Sequence, residues 1–495
     1  PLASQQRRAT TPMLALVNRP ARLAPCVART ARGLSAAASS DELTLLETLL
    51  KEAKKRKADE EAAAKAQQGE EGPKFQVQTF NAISMAGLQK FPNNSFQLTG
   101  TSGKVPDGVS EEPHAILLRS HKLASSEVAS TVRAIARCGA GTNNVPIADM
   151  TARGIPVFNT PGANANSVKE LALCGLLLAA RGVSEGITHT KNVICAEESD
   201  HKARNARVEK DKKFFAGGEI RGKTLAVLGL GNIGAMVAES ALSLGMNVVG
   251  YDPKISVDAA WRLPSSVEKM PSLQDACAAA DFVSINMPYI KGVTHGVIDA
   301  SCFDVMKPTC SIVNFARGEI VDGAALLKAY ENGHTGKYVS DFPDEFVQEH
   351  PNFICIPHLG ASTEEAEDNC AAMAAEQVID FLETGTIKNS VNFPTASLDV
   401  QDPEHTRLCV INKNEPGVLG AITTALGSLG VNIAQQLNTS RDAIAYNVVD
   451  LQDFPQGEAA AEVQSKLLEL DGVLSTRIIW TGSVREGPSS FLTKA

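Results

Sequence analysis

The chain is 495 residues long and carries a formal net charge of −9, which bounds it to about three domains and argues against a nucleic-acid footprint. No apolar run reaches the roughly 18–20 residues that a membrane-spanning helix needs. Ten cysteines and nine histidines are scattered without C-x-x-C pairs or ligand spacing, so neither a disulfide scaffold nor a metal is expected.

Residues 1–40 hold Arg7, Arg8, Arg19, Arg22, Arg29 and Arg32 and no acidic residue, the composition of an organelle transit peptide. The stretch Arg32-Gly-Leu-Ser35 resembles a mitochondrial processing site, so the matrix is favoured over a plastid. Residues 41–74 are a charged linker, with Leu43, Leu46, Leu49 and Leu50 at helical spacing before a run of Lys, Glu and Ala; no chemistry is assigned there.

From residue 75 onward strands and helices alternate. Strands are expected at Ala115–Leu118, 134–136 and 156–158, and helices over 125–131, 146–152 and 167–181. The clearest unit follows. Thr224–Leu228 reads as a buried strand, and Gly229, Gly231 and Gly234 follow it in the spacing G-x-G-x-x-G, with Asn232 and Ile233 inside the turn. A helix over 232–244 and a strand over 246–251 come next, ending on Asp252. The first glycine makes the turn, the second admits a pyrophosphate to the backbone, and the third lets helix pack on strand. Free N–H groups at the helix start face the phosphates, and the Asp252 carboxylate suits the adenosine ribose hydroxyls of NAD rather than a 2′-phosphate. Arg262 stands too far along to be assigned a phosphate.

Further strands are expected at 282–286, Ser311–Asn314, Tyr338–Ser340 and 353–356, and a helix over 363–382. The fold class is therefore α/β: two Rossmann-like doubly wound domains flank a cleft. Residues 75–164 and 359–397 form a substrate-binding cap, and residues 165–358 form the NAD-binding domain inserted between its halves. Residues 404–482 change to β-α-β-β-α-β order, the ferredoxin-like arrangement.

Three residues follow predicted parallel strands, where such sheets bind ligands: Arg317, Glu345 and His358. A hydroxyl-bearing carbon that loses hydride needs a base for its proton, and imidazole titrates near neutrality. A carboxylate such as Glu345 would hold the imidazolium, and Arg317 offers a fork for a substrate carboxylate.

The motifs Leu118-Arg-Ser120, Gly139-Ala-Gly-Thr-Asn143, Phe158-Asn-Thr-Pro-Gly162, the glycine turn, Asn314-Phe-Ala-Arg-Gly-Glu-Ile-Val321 and Pro357-His-Leu-Gly-Ala-Ser-Thr363 together resemble the D-2-hydroxyacid dehydrogenase family. The likeness is to members with one C-terminal ACT domain and runs from about residue 75 to 480. It implies a catalytic Arg317, Glu345 and His358, an Asp341 beside the nicotinamide carboxamide, and substrate contacts at Arg119, Ser120, Asn143, Asn164 and Lys212. In the tail it implies effector contacts at Asn412, Asn414 and Asn432, with Asn412 standing where some relatives have His. Asp341 and Glu345 are one residue closer together than the family's pattern, which leaves either Glu345 or Asp344 to pair with His358. The implied function is NAD-dependent oxidation of D-3-phosphoglycerate to 3-phosphooxypyruvate, the first step of phosphorylated serine synthesis. L-serine is the implied effector, the assembly a homodimer or homotetramer, and no nucleic acid or membrane is a partner. The rival readings are another D-2-hydroxyacid dehydrogenase acting on glycerate or hydroxypyruvate, and a binding protein that senses NAD.

Overall fold

The computed structural model describes residues 75–494 apart from 101–107, 109, 401, 456, 482–483 and 487–489. The expected transit peptide and charged linker lie outside the described residues. Three sheets organise what is described.

The first has five parallel strands: β1 (Phe75–Thr79), β2 (Phe96–Gly100), β3 (Ala115–Leu118), β4 (Ala134–Arg137) and β5 (Val157–Phe158), in the order β2-β1-β3-β4-β5. All four β3 residues are buried and apolar, as a strand covered on both faces requires. The helix expected over 125–131 is only a 3-10 turn, Ser125–Glu127. Polar side chains are drawn to other backbone there: Glu127 accepts the local Ala124 N–H at 2.7 Å, and the Thr131 hydroxyl donates to the distant Pro113 carbonyl at 2.8 Å.

Helix α1 (Ala165–Ala180) leaves this sheet and packs Ala172, Leu176 and Ala179 under the second one. Its seven strands are all parallel: β6 (Thr224–Leu228), β7 (Asn247–Tyr251), β8 (Glu268–Lys269), β9 (Phe282–Ile285), β10 (Ser311–Asn314), β11 (Tyr338–Ser340) and β12 (Phe353–Cys355). The order β12-β11-β10-β9-β6-β7-β8 reverses direction between β6 and β9, so a crevice opens at their carboxyl ends. Helix α2 (Asn232–Ser243) starts in that crevice.

Helix α3 (Glu364–Thr384) returns to the first sheet and closes its core, burying Ala371, Ala374, Val378 and Phe381 with Phe75, Val77 and Leu117. The chain after it is laced onto the β5 edge: Asn392 accepts the Val157 N–H at 2.8 Å and donates to the Ile155 carbonyl at 2.9 Å.

The third sheet is antiparallel. Strands β13 (Thr406–Lys413), β14 (Asn432–Arg441), β15 (Ile444–Gln452) and β16 (Val473–Thr481) lie in the order β14-β15-β13-β16, with helices α4 (Val418–Ser428) and α5 (Glu458–Glu469) in the β-α-β-β-α-β sequence. Two short strands not expected from the sequence, Val484–Arg485 and Phe491–Thr493, pair back onto β16. The two-residue period of β13 sorts its side chains. Leu408 and Val410 join the core under α4 and α5, while Cys409 and Ile411 join the core against α3. Both faces of this sheet are therefore covered at β13, while the β14 edge stays part-exposed.

Candidate active site

The turn after β6 has the geometry that a dinucleotide requires. Gly229 sits at φ +88°, and a Cβ there would lie 2.7 Å from the Met287 amide nitrogen on the neighbouring strand end. A Cβ on Gly234 would meet the Gly229 carbonyl oxygen at 1.9 Å, so α2 packs against the turn only because that atom is missing. A Cβ on Gly231 would meet nothing within 4 Å; the open side of this glycine is where a phosphate can approach. Ile233 faces the core beneath. Asp252 ends β7 and accepts the Leu230 N–H at 2.9 Å and the Lys254 N–H at 3.0 Å. Each bond takes one lone pair from a different oxygen, which leaves acceptor capacity for ribose hydroxyls. These residues fit NAD. The structure also recovers Arg262, which sequence distance had set aside: its Nη1 is 3.4 Å from Asn232 Oδ1 at the mouth of the turn.

Across the crevice, Arg317, Asp341 and His358 stand at the ends of β10, β11 and β12. Asn314, quoted in the sequence motif but given no role there, sets the first of these loops. Its amide donates to the Arg317 carbonyl at 2.9 Å and to the Tyr338 hydroxyl at 3.1 Å, and its Oδ1 accepts the Ala316 N–H. The Arg317 guanidinium donates to the Ala316 carbonyl at 2.7 Å and reaches the Gly141 loop, where a Cβ would be 3.2 Å from Nη2. Gly162 meets the glycine turn in the same way, since its Cβ would lie 2.5 Å from Asn232 Nδ2. Two loops of the first sheet thus close over the crevice of the second.

Asp341 is 3% exposed; Oδ2 accepts the Gly360 N–H at 3.4 Å, and Oδ1 is buried with no hydrogen-bond partner among the described residues. Burial pushes its carboxyl above the usual range, opposed by the charges of His358 and Arg317. An orphaned buried acceptor beside the crevice suits a donor such as the carboxamide of a nicotinamide. His358 is exposed, and its ring lies 4.7 Å from that of Phe342. Of the two acids left open by the sequence, Asp344 is committed elsewhere: it accepts the N–H groups of Phe346 at 2.9 Å and Val347 at 3.1 Å. Glu345 is exposed and has no hydrogen bond or ion pair among the described residues. Asp341 is the nearby acid whose carboxyl responds to the His358 charge.

A small pocket of about 90 Å³ adjoins this cluster, lined by Arg119, Arg137, Gly139, Asn164, Ala361 and Glu367 among others. Arg137, missed in the sequence, ends β4 with its Nη1 in the space a Gly139 side chain would fill, and its Nε donates to the Arg119 carbonyl at 3.1 Å. Burial lowers its pKa, and the charges of Arg119 and Arg317 lower it further. Arg119 and Arg137 therefore share one cationic recess suited to an anion, with the Arg317 charge felt at Arg137 from beside it. Its position at a parallel-strand end was the available signal. Ser120 is exposed and does not line the recess; its N–H is held by Asn81 at 3.1 Å. Asn143 is exposed, whereas its neighbour Asn144 ties the loop by donating to the Arg119 and His121 carbonyls.

Other expected residues are not gathered here. Lys212 does not line the pocket and pairs with Glu209 at 2.5 Å on a solvent-facing turn. Asn412 is buried in an amide ladder, accepting from Asn447 at 2.7 Å. Asn414 donates to the Asp442 carbonyl at one end of the β14–β15 pair, while Asn432 donates to Gln452 at the other. Nine residues of strand, from Ala443 to Gln452, separate them, about 30 Å, so they do not share a small ligand within one chain.

Residues 187–360 match the model of the D-isomer specific 2-hydroxyacid dehydrogenase NAD binding domain. The D-3-phosphoglycerate dehydrogenase of Dictyostelium discoideum is 30% identical over 426 residues, covering 82% of this chain and 98% of that protein. The chain belongs to the D-2-hydroxyacid dehydrogenase family. It is an NAD-dependent dehydrogenase, and the glycine turn and Asp252 lie within the residues matched to the NAD binding domain. The D-3-phosphoglycerate dehydrogenase of Escherichia coli strain K12 is 32% identical over 391 residues, 74% of this chain and 87% of that one. Among solved structures, the holo form of Rhodotorula graminis D-mandelate dehydrogenase shares the fold, with a TM-score of 0.55 at 21% identity over 66% of this chain and 100% of that one.

Proposed function

We propose that this dehydrogenase oxidises D-3-phosphoglycerate to 3-phosphooxypyruvate. The observation that carries the reading is the recess holding Arg119 and Arg137 beside the Arg317–His358 cluster: one anion site for a phosphate lies next to one for a carboxylate. The relatives' names agree with it. Arg119, Asn164 and Arg137 hold the phosphate; Arg317 grips the carboxylate. Bound NAD supplies the hydride acceptor, cradled by the glycine turn, Asp252 and Asp341. His358 takes the hydroxyl proton as C2 becomes a carbonyl. The acid that steadies the resulting imidazolium is Asp341 or Glu345, and the pH profiles of D341N and E345Q separate the two. The rate of NADH formation with D-3-phosphoglycerate tests the assignment. His358→Asn is expected to lower kcat by about 10²–10⁴-fold; near-normal turnover would remove His358 from the role.

The third sheet is the ACT regulatory domain in this reading. The separation of Asn414 from Asn432 means that a serine site using both needs two copies of the chain. Val183, Ile187, Val208 and Phe214 are exposed on the successive short helices between α1 and β6, apolar surface that a second subunit would cover. The homodimer, serine binding and organellar import through residues 1–40 belong to the same proposal.

A further inference from the structure

The C-terminal sheet grips one end of α3. Arg477 Nη2 donates to the Phe381 carbonyl at 2.6 Å, Arg407 Nη1 to the Thr384 carbonyl at 3.2 Å, and the Tyr446 hydroxyl to the Gly385 carbonyl at 2.8 Å. These are carbonyls of the last turn and cap: Phe381 also accepts the Gly385 N–H at 3.0 Å, Thr384 and Gly385 stand at the very end of the helix, and two guanidiniums lie at the negative end of its dipole. Arg407 is itself immobilised by a two-bond pair with Asp450, at 2.6 and 2.7 Å, with both side chains almost fully buried. The clamp is therefore stiff. At the opposite end, in the first turn of α3, Glu367 Oε1 lies 2.6 Å from Arg119 Nη1 in the anion recess. Between the two ends the helix is seated at backbone distance: a Cβ on Gly87 would come within 2.4 Å of the Ala371 carbonyl oxygen. Some 14–18 residues of helix, about 21–27 Å, connect the clamp to the recess.

We propose that Glu367 is a built-in competitor for the anion recess, and that the C-terminal sheet sets its grip on Arg119 through α3. The substrate phosphate and the Glu367 carboxylate are both anions seeking one guanidinium, so binding displaces Glu367. A shift of the C-terminal sheet that pulls α3 changes how easily that happens. Glu367 is a positioning residue in this scheme, acting through Arg119. The inference rests on the assignment of the phosphate to this recess and adds how the recess is regulated.

The test is a double-mutant cycle on the full chain, read as KM and kcat for D-3-phosphoglycerate. Glu367→Gln is expected to lower that KM about two- to fivefold, the worth of a part-exposed ion pair, with kcat within twofold and KM for NAD⁺ unchanged. Tyr446→Phe, which removes one clamp bond about 27 Å away, is expected to shift the same KM at least twofold in the native background and not in the E367Q background. Arg477→Lys serves as the second clamp variant if Y446F fails to fold. An unchanged or raised KM in E367Q overturns the competitor, and an equal clamp effect in both backgrounds overturns the transmission. Arg119→Gln is the separate control: if it leaves KM unaltered, the phosphate assignment itself has failed and this inference falls with it.

Discussion

His114 is buried beneath the first sheet, and its Nδ1 accepts the Gln76 N–H at 2.8 Å. Burial, aided by the charge of Arg133, holds its pKa down at about 4 from an ordinary 6.5. The folded state therefore keeps this imidazole neutral where the unfolded chain already binds a proton. Its contribution to stability is whole above pH 6.5 and is lost as the pH falls towards 4, by up to about 3 kcal/mol. Urea unfolding at pH 7 and 4.5 checks this. The native chain is expected to lose about 2–3 kcal/mol more than His114→Gln between the two, and parallel losses would mean that His114 is not a source of acid lability. At the same scale, Arg317 and His358 were legible in the sequence because each follows a strand of a parallel sheet. Arg137 was equally placed, ending β4, but nothing in a lone strand-end arginine says that its guanidinium will fill the space of a missing Gly139 side chain. Asp344 and Glu345 could not be told apart either, because only the folded turn shows Asp344 spent on the N–H groups of Phe346 and Val347.

At the scale of elements, the glycine turn makes a pair of opposed expectations. Gly231→Ala adds a Cβ to open space, so the variant is expected to melt like the native chain while its KM for NAD⁺ rises about tenfold, as the methyl meets the pyrophosphate. Gly234→Ala drives a Cβ into the Gly229 carbonyl and is expected to destabilise the fold by about 1–3 kcal/mol. Thermal melts beside NAD⁺ titrations read both, and the reverse pattern would contradict the roles given to the two glycines. This β6–α2–β7 unit could be read from sequence because a short buried strand, three spaced glycines and a terminal acid are all local signals. The region between α1 and β6 could not. His201–Asp211 is helical yet almost entirely polar, so it lacks the apolar stripe that marks a helix in a sequence. The ends of α3 were legible to within two residues, since Thr363 caps the first turn and Gly385 closes the last in the left-handed conformation.

For the whole molecule, the two parallel sheets and the antiparallel tail followed from strand and helix order, but their mutual seating did not. The Arg407–Asp450 pair joins residues 43 apart, and Arg477 reaches a carbonyl 96 residues away; such bonds leave no periodic trace. The consequence is a tail docked on the helix that lines the anion recess. The central claim is that this recess recognises a phosphate beside the reacting carbon, and the most direct measurement compares kcat/KM for D-3-phosphoglycerate and D-glycerate in the native chain and in Arg119→Gln. A phosphate held by charge-assisted bonds is worth about 1.5–3 kcal/mol per lost contact. The native chain is therefore expected to prefer the phosphorylated acid by at least about a hundredfold, and R119Q to lose about 10–100-fold of that preference while its rate on glycerate is kept. Equal kcat/KM for the two acids in the native chain, or a preference that survives R119Q intact, would contradict the account.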